Sequence, residues 1–274
     1  MMPWTSEHMK WLVDTGERLN TLDGKTVEVW EFHYNQDDDV LSAWAKHFRN
    51  HYCLDAEIDL LRKGIGLSKS EYLKQMLFPD RRIAPGPSIR SGDFAEILVA
   101  DYLRYILNYW VPNWRYDDKA IRNESKKGVD ILAFKFISEN ESAEDVLAVY
   151  EAKAKLTGTT PVNRLQDAVD ASQKDIIRTS QSLNALKRRL IKEGSHDEAA
   201  NVQRFQNKAD RPYKYISGAV AALVTSVYSE SMISTTNTTN HSNRNNLSLL
   251  VIKGDRLMDL VHSLYERAAH EAEV

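Results

Sequence analysis

Four short apolar runs in the second half of the chain constrain its fold more than any other feature. They lie at 128–136, 146–153, 216–228 and 247–252, and a long polar stretch over 163–193 separates the first pair from the second. Short apolar runs bounded by polar segments predict strands, and the polar stretch is long enough for a single extended helix. The acidic segment 139–145 joins the first two runs as a hairpin connection would. Ahead of them, 94–110 is apolar nearly all round and predicts a buried helix. An amphipathic helix over 255–270 closes the chain. Helix, strands, helix, strand, strand, helix is the order of an α/β layer domain.

The N-terminal part reads differently. Residues 1–88 predict a helix-rich region with one or two strands, and residues 89–274 the α/β domain. Lys25 to Phe32 alternates polar and apolar residues, as a half-buried strand does. Asp37, Asp38 and Asp39 suit the start of an aromatic-rich helix running to about Tyr52. Ser68 and Glu71 form a capping-box pair for a helix ending near Phe78. Prolines 79, 85 and 87 with Gly86 mark a boundary. The Ser/Thr/Asn-rich stretch 229–246 predicts a mobile loop that contributes nothing to a core. Trp4, Trp11, Trp30, Phe32, Tyr34, Trp44 and Phe48 are mostly core candidates, and any left at the surface would suit a partner or a homodimer.

Charge and cysteine content narrow the function classes. There are 36 basic and 39 acidic residues, a net charge of −3, so an anionic partner needs a local patch or metal ions. The lone Cys53 excludes an internal disulfide and a Cys-rich zinc module, and predicts a reducing, cytoplasmic setting. No apolar run reaches the roughly 20 residues of a membrane span, which predicts no membrane association.

Asp130, two residues after Gly128 at the start of one predicted strand, and Glu151-Ala152-Lys153, at the end of the next, carry the chemistry. Alternation puts Glu151 and Lys153 on one face of the strand. If the two strands pair as a hairpin, Asp130 lies beside Glu151. Carboxylate oxygens suit a hard divalent cation, which offsets phosphate charge and lowers the pKa of an attacking water. Glu96 adds a third carboxylate on an apolar helical stripe with Val99, Ala100, Leu103 and Leu107. The competing structural reading makes Asp93 an N-cap with Glu96 as its capping-box partner. It also makes Glu151–Lys153 an ordinary surface pair worth ~0–1 kcal/mol. Asp101 is a weaker ligand candidate, better explained as a solvated helix position.

Together, Glu96, Asp130 and Glu151-x-Lys153 resemble the PD-(D/E)xK nuclease superfamily, with Gly128-Val129 in place of the proline of that name. The resemblance implies a restriction-endonuclease-like α/β core of order α-β-β-β-α-β, a mixed sheet flanked by helices. Its first strand would fall within 114–122. The stretches 89–98 and 122–130 are similar to HamA, the nuclease subunit family of the Hachiman anti-phage system. That resemblance implies a metal-dependent, largely sequence-nonspecific DNA endonuclease controlled by a helicase partner (HamB-like). Asp130, Glu151 and Glu96 would be ligands of Mg²⁺ or Mn²⁺, and Lys153 would orient the nucleophilic water. Two alternatives stand beside it: a catalytically inactive DNA-binding or scaffold subunit of the same fold, and a free-standing restriction or repair nuclease.

Between 174 and 214 ten basic residues face five acidic ones, the one clear basic surplus in the chain. Lys174, Arg178, Lys187 and Arg188 there are candidate phosphate contacts, as are Lys126 and Lys127 beside Asp130. A solvated helix face explains the same run without DNA. His241 in the polar loop reads as incidental.

Overall fold

A computed structural model describes residues 4–112, 116–117, 119–125 and 128–273. A 3-10 turn at Glu7–Trp11 leads into strands β1 (Leu12–Asn20) and β2 (Thr26–Phe32), then helix α1 (Asp38–Asn50). Two short helices follow, α2 (Ile58–Leu61) and α3 (Lys69–Tyr72), the second extended by a π turn to Leu77. Helix α4 (Gly86–Asp101) also ends in a π turn and precedes β3 (Ile131–Lys135) and β4 (Val146–Lys155). The rest is α5 (Arg164–Lys192), α6 (His196–Gln203), β5 (Lys214–Val224), α7 (Glu230–Ser234), β6 (Leu247–Gly254) and α8 (Leu257–His270).

Among the described residues the strands form a single mixed sheet of order β1-β2-β6-β5-β4-β3. The outer pairs β1/β2 and β3/β4 are antiparallel, and the central pairs are parallel. The parallel strands β5 and β6 are buried on both faces, which is why they read as continuous apolar runs. Alternation along β4 splits its side chains between two layers. Ala148, Tyr150 and Ala152 pack into a core with α1, α4 and α8, whereas Leu147 and Val149 pack with α5 and α6. Tyr150 lies flat against Gly218 of β5, where a Cβ would come within 2.2 Å of the ring, so only glycine fits there.

The α/β class with a mixed sheet flanked by helices follows from the strand-helix order, and the capping box of Ser68 and Glu71 is present. Several local expectations need correction. The residues before 89 do not end in a separate layer: β2 pairs with β6, and the largest core runs from Met9 to Ala272. Strand β1 has no apolar pattern because it is an edge strand, exposed along most of its length. Helix α4 begins at Gly86, with a proline in its first turn, where the missing N–H costs nothing. Asp93 is therefore interior to the helix rather than its N-cap. Its carboxylate accepts from Tyr52 Oη at 2.6 Å and Lys119 Nζ at 2.6 Å. Asp101 is not solvated but fully buried.

The 114–122 strand falls partly outside the described residues, and the described ones among them form no strand. What pairs with β3 on that side is a one-residue antiparallel bridge from Trp110 to Phe134. The 229–246 stretch is ordered and partly buried. Thr236 and Thr238 are fully enclosed, and Asp23 accepts hydrogen bonds from Thr238 and Arg244. Hydroxyl and amide side chains supply the bonds that an apolar core would not. Among the described residues no helix is long and apolar enough to cross a membrane.

Candidate active site

A cleft of about 1080 Å³ opens where α4 and α5 straddle the end of β4, and Glu96, Asp130, Glu151 and Lys153 all line it. Gly128 takes φ +110 just before Asp130, a conformation that favours glycine, and the Val129 N–H donates to Ser182 Oγ on α5 at 3.3 Å. That turn starts β3. Ile131 then stands opposite Tyr150, so Asp130 comes next to Glu151 on the α5 side of the sheet. The Asp130 carboxylate accepts from the backbone N–H of Ala152 at 3.2 Å. Glu151 is 5% exposed and accepts from Lys153 Nζ. Glu96 reaches the same cleft from α4, on the other side of the sheet. Its Oε2 accepts from Tyr116 Oη at 2.5 Å.

The electrostatics are those of carboxylates crowded together away from water. Burial pushes the Glu151 carboxyl up, and the charge of Asp130 adds to it. Lys153 opposes both, yet the pKa stands at about 9. For Lys153, burial works against the ammonium, but Glu151, Asp130 and Glu96 outweigh it and hold the pKa above the ordinary lysine value.

Sequence reasoning missed Asp175. It sits on α5 behind Glu151, is 1% exposed, and neither of its oxygens has a hydrogen-bond partner among the described residues. The nearest cation is Arg178 at 3.7 Å. Burial raises its pKa to about 6, Asp130 adds to the rise, and Glu151 and Arg178 oppose it. The signal was available. Ser172, Asp175, Thr179 and Ser182 follow the three-to-four spacing of the buried stripe of α5, and a charge on such a stripe is informative.

The basic candidates separate. Arg178 lines the cleft, together with Lys155, Arg164 and His262, which the sequence had not singled out. Lys187 lies nine residues on, roughly 180° around the helix. It donates to Gln203 and Gln206 instead, at 2.9 and 3.2 Å. Lys174 and Arg188 are exposed on α5 but do not line the cleft. Lys126 and Lys127 lie outside the described residues. His241 is buried, with Nε2 3.0 Å from Ser172 Oγ.

The profile of the HamA family matches residues 7–268. The chain belongs to the HamA family. Membership agrees with the likeness seen over 89–98 and 122–130, and it places this HamA protein among components of Hachiman defence. The match includes the N-terminal strands as well as the cleft. Comparison with curated proteins finds no match.

The donors around the cleft fit a hard divalent cation. They are carboxylate oxygens, with the Glu151 carboxyl pushed to about 9 and the buried carboxylate of Asp175 behind it. A cation there competes with the proton on Glu151. Metal affinity is therefore expected to rise with pH towards about 9 and to be accompanied by proton release. The sign for stability follows. Glu151 and Asp175 are raised above their unfolded values, so the metal-free fold loses stability as pH rises from about 5 towards 9. Thermal unfolding in EDTA should show the midpoint falling between pH 6 and pH 8.5, with excess Mg²⁺ restoring it more at the higher pH. A metal-free midpoint that rises over that interval would mean that Glu151 is ionised throughout.

Proposed function

We propose that this HamA protein is a metal-dependent DNA endonuclease of the PD-(D/E)xK kind, with Mg²⁺ as its ion and Mn²⁺ as a substitute. The observation that carries this reading is the convergence of Glu96, Asp130, Glu151 and Lys153 on one cleft from one helix and two neighbouring strands. Those residues are 57 positions apart at the extremes, and a set of unrelated strand-end charges has no reason to meet.

Asp130, Glu151 and Glu96 would hold the ion. A bound ion supplies a water of lowered pKa and offsets charge on the phosphate. Asp130 is oriented for its part by the Ala152 N–H, and Glu96 by the Tyr116 hydroxyl. Lys153, kept charged by its acidic neighbours, orients the nucleophilic water and stabilises charge developing on the phosphate oxygens. Attack in line on phosphorus leaves a 5′-phosphate and a 3′-hydroxyl. Arg164, Arg178 and Lys155 along the cleft would contact phosphates, which supports binding with little sequence preference.

Control by a helicase partner belongs to the same proposal. It is supported by family membership and by apolar side chains left at the surface between α2 and α4, Leu60 at 73% and Ile83 at 66% exposure among them.

Incubation with supercoiled, linear and single-stranded DNA, in Mg²⁺ or in EDTA and with or without the helicase, tests the reading. Cleavage is expected in Mg²⁺ alone. A chain that binds no divalent ion by calorimetry and cuts none of these DNA forms, even with its partner, is a scaffold and not an enzyme. Robust cutting that the helicase leaves unchanged would indicate a free-standing nuclease.

A further inference from the structure

A second cluster of metal-binding side chains lies apart from the carboxylates of the cleft. His8 comes from the 3-10 turn, His47 from the last turn of α1, His51 from the residue that caps it, and Asp101 is the last residue of α4. All four are buried, at 5% exposure or less. Nε2 of His8 and Nε2 of His47 each lie 3.0 Å from Oδ2 of Asp101. Nε2 of His51 lies 3.3 Å from Nε2 of His47. The ligand atoms of His47, His51 and Asp101 all fall within 4.8 Å of one another. Ligand atoms around a tetrahedral ion with bonds of about 2.0–2.1 Å sit about 3.3 Å apart; His47, His51 and Asp101 lie within reach of one such ion, and His8 is placed beside them through Asp101 Oδ2.

The chemistry of the donors agrees with the spacing. Burial holds His8 and His51 below the ordinary imidazole range, and the neutral ring is the form that ligates metal. The other oxygen of Asp101, Oδ1, accepts from Arg104 Nη1 at 3.2 Å, which fixes the carboxylate and leaves Oδ2 facing the histidines. Imidazole nitrogens with one carboxylate oxygen suit zinc better than magnesium or calcium.

We propose that His47, His51 and Asp101, with His8 beside them on Asp101, form a structural site for a Zn²⁺-class ion, separate from the cleft. Such an ion ties the N-terminal turn and α1 to the end of α4, the helix that carries Glu96. Loading has a local consequence. Coordination through Nε2 leaves the His47 proton on Nδ1, the atom that accepts from the Thr5 N–H at 3.1 Å. Two donors cannot face each other, so binding releases Thr5, and the half-buried Trp4 and Thr5 beside it must shift.

The test uses the full chain with Glu151→Ala, stripped by a chelator and titrated with Co²⁺ in excess Mg²⁺ to keep the cleft out of the readout. The proposal expects the visible bands of four-coordinate Co²⁺ to saturate at a single ion per chain and to be displaced by Zn²⁺. They should be lost when His47→Gln or His51→Gln is added to a chain of unchanged circular dichroism. Zn²⁺ at a hundredfold excess over its Kd should raise the melting midpoint by about 5 °C or more. Hydrogen exchange at Thr5 should quicken on loading. Absence of the bands from the Glu151→Ala chain overturns the proposal and requires no histidine variant to fold. So does a spectrum that both histidine variants retain. Either failure leaves the nuclease reading of the cleft standing.

Discussion

Glu151→Ala and Lys153→Ala should each lower Mg²⁺-dependent DNA cleavage by about a thousandfold or more, with the fold intact. Removing one preorganised donor to developing charge typically costs a factor of about 10²–10³, and each of these side chains serves more than one purpose. Glu151 is a proposed ligand and the nearest counter-charge of Lys153. Lys153 feels Glu151, Asp130 and Glu96 together. The fold should survive because neither side chain belongs to the apolar cores. Glu151→Ala should leave the metal-free chain as stable or more so, since it removes a buried carboxylate crowded by Asp130 and Asp175. Single-turnover cleavage rates and circular dichroism check both halves. Parental rates in both variants would remove the enzyme reading, because among the described residues of the cleft no other buried carboxylate is paired with an ammonium.

How much of this was legible depends on which physical signal placed each residue. Asp130 and Glu151 were readable because the period of a strand is two and a hairpin puts the start of one strand beside the end of the next. Glu96 was readable because a charge on an apolar helical stripe stands out. Asp175 carries the same signal, but it lies in a helix rich in charge, where one buried acid is hidden among many solvated ones. Arg178 and Lys187 belong to one basic run, yet a helix turns them to opposite sides, so a count of charges could not tell a cleft residue from one bound to α6. Trp110 was not legible as part of the sheet, because a single bridge has no period. Strand β1 was hidden for a related reason: an exposed edge needs no apolar face. The 229–246 segment misled because its composition is mostly polar, while its order rests on Ile233 in the core and on hydrogen bonds to Asp23, which is 215 residues from Thr238 in sequence.

The acidic connection between β3 and β4 makes the strongest stability prediction, and it bears directly on the site. Read from sequence, 139–145 is an acidic connection of the hairpin or loop kind. In the structure Asp145 is 2% exposed and is the hub of that connection. It accepts from Arg204 of the segment after α6 and from the backbone N–H groups of Ile137 at 2.9 Å and Ser142 at 3.3 Å. Arg204 also donates to the carbonyl oxygens of Ser138 and Glu139, both at 3.2 Å, and lies over the Phe136 ring. Asp145→Ala leaves a buried guanidinium without its counter-charge and two N–H groups without acceptors. Breaking a buried pair from one side costs about 3–5 kcal/mol, which for a chain of this size lowers the melting midpoint by roughly 10 °C. Asp145→Asn keeps one acceptor oxygen and should cost less. Replacing both partners by apolar residues, Asp145→Leu with Arg204→Met, should recover much of the loss, because no charge is then left buried. Urea unfolding of the three variants decides it; a loss below about 1 kcal/mol for Asp145→Ala would mean that water reaches the pair. The consequence for function follows from register. Asp145 holds the connection that sets Lys135 opposite Val146, and the same ladder sets Ile131 opposite Tyr150. A slip of one residue turns Asp130 to the other face of the sheet, away from Glu151. Cleavage by the Asp145→Ala chain should therefore fall even below its melting midpoint, by more than the unfolded fraction explains, whereas the apolar pair should retain the parental rate.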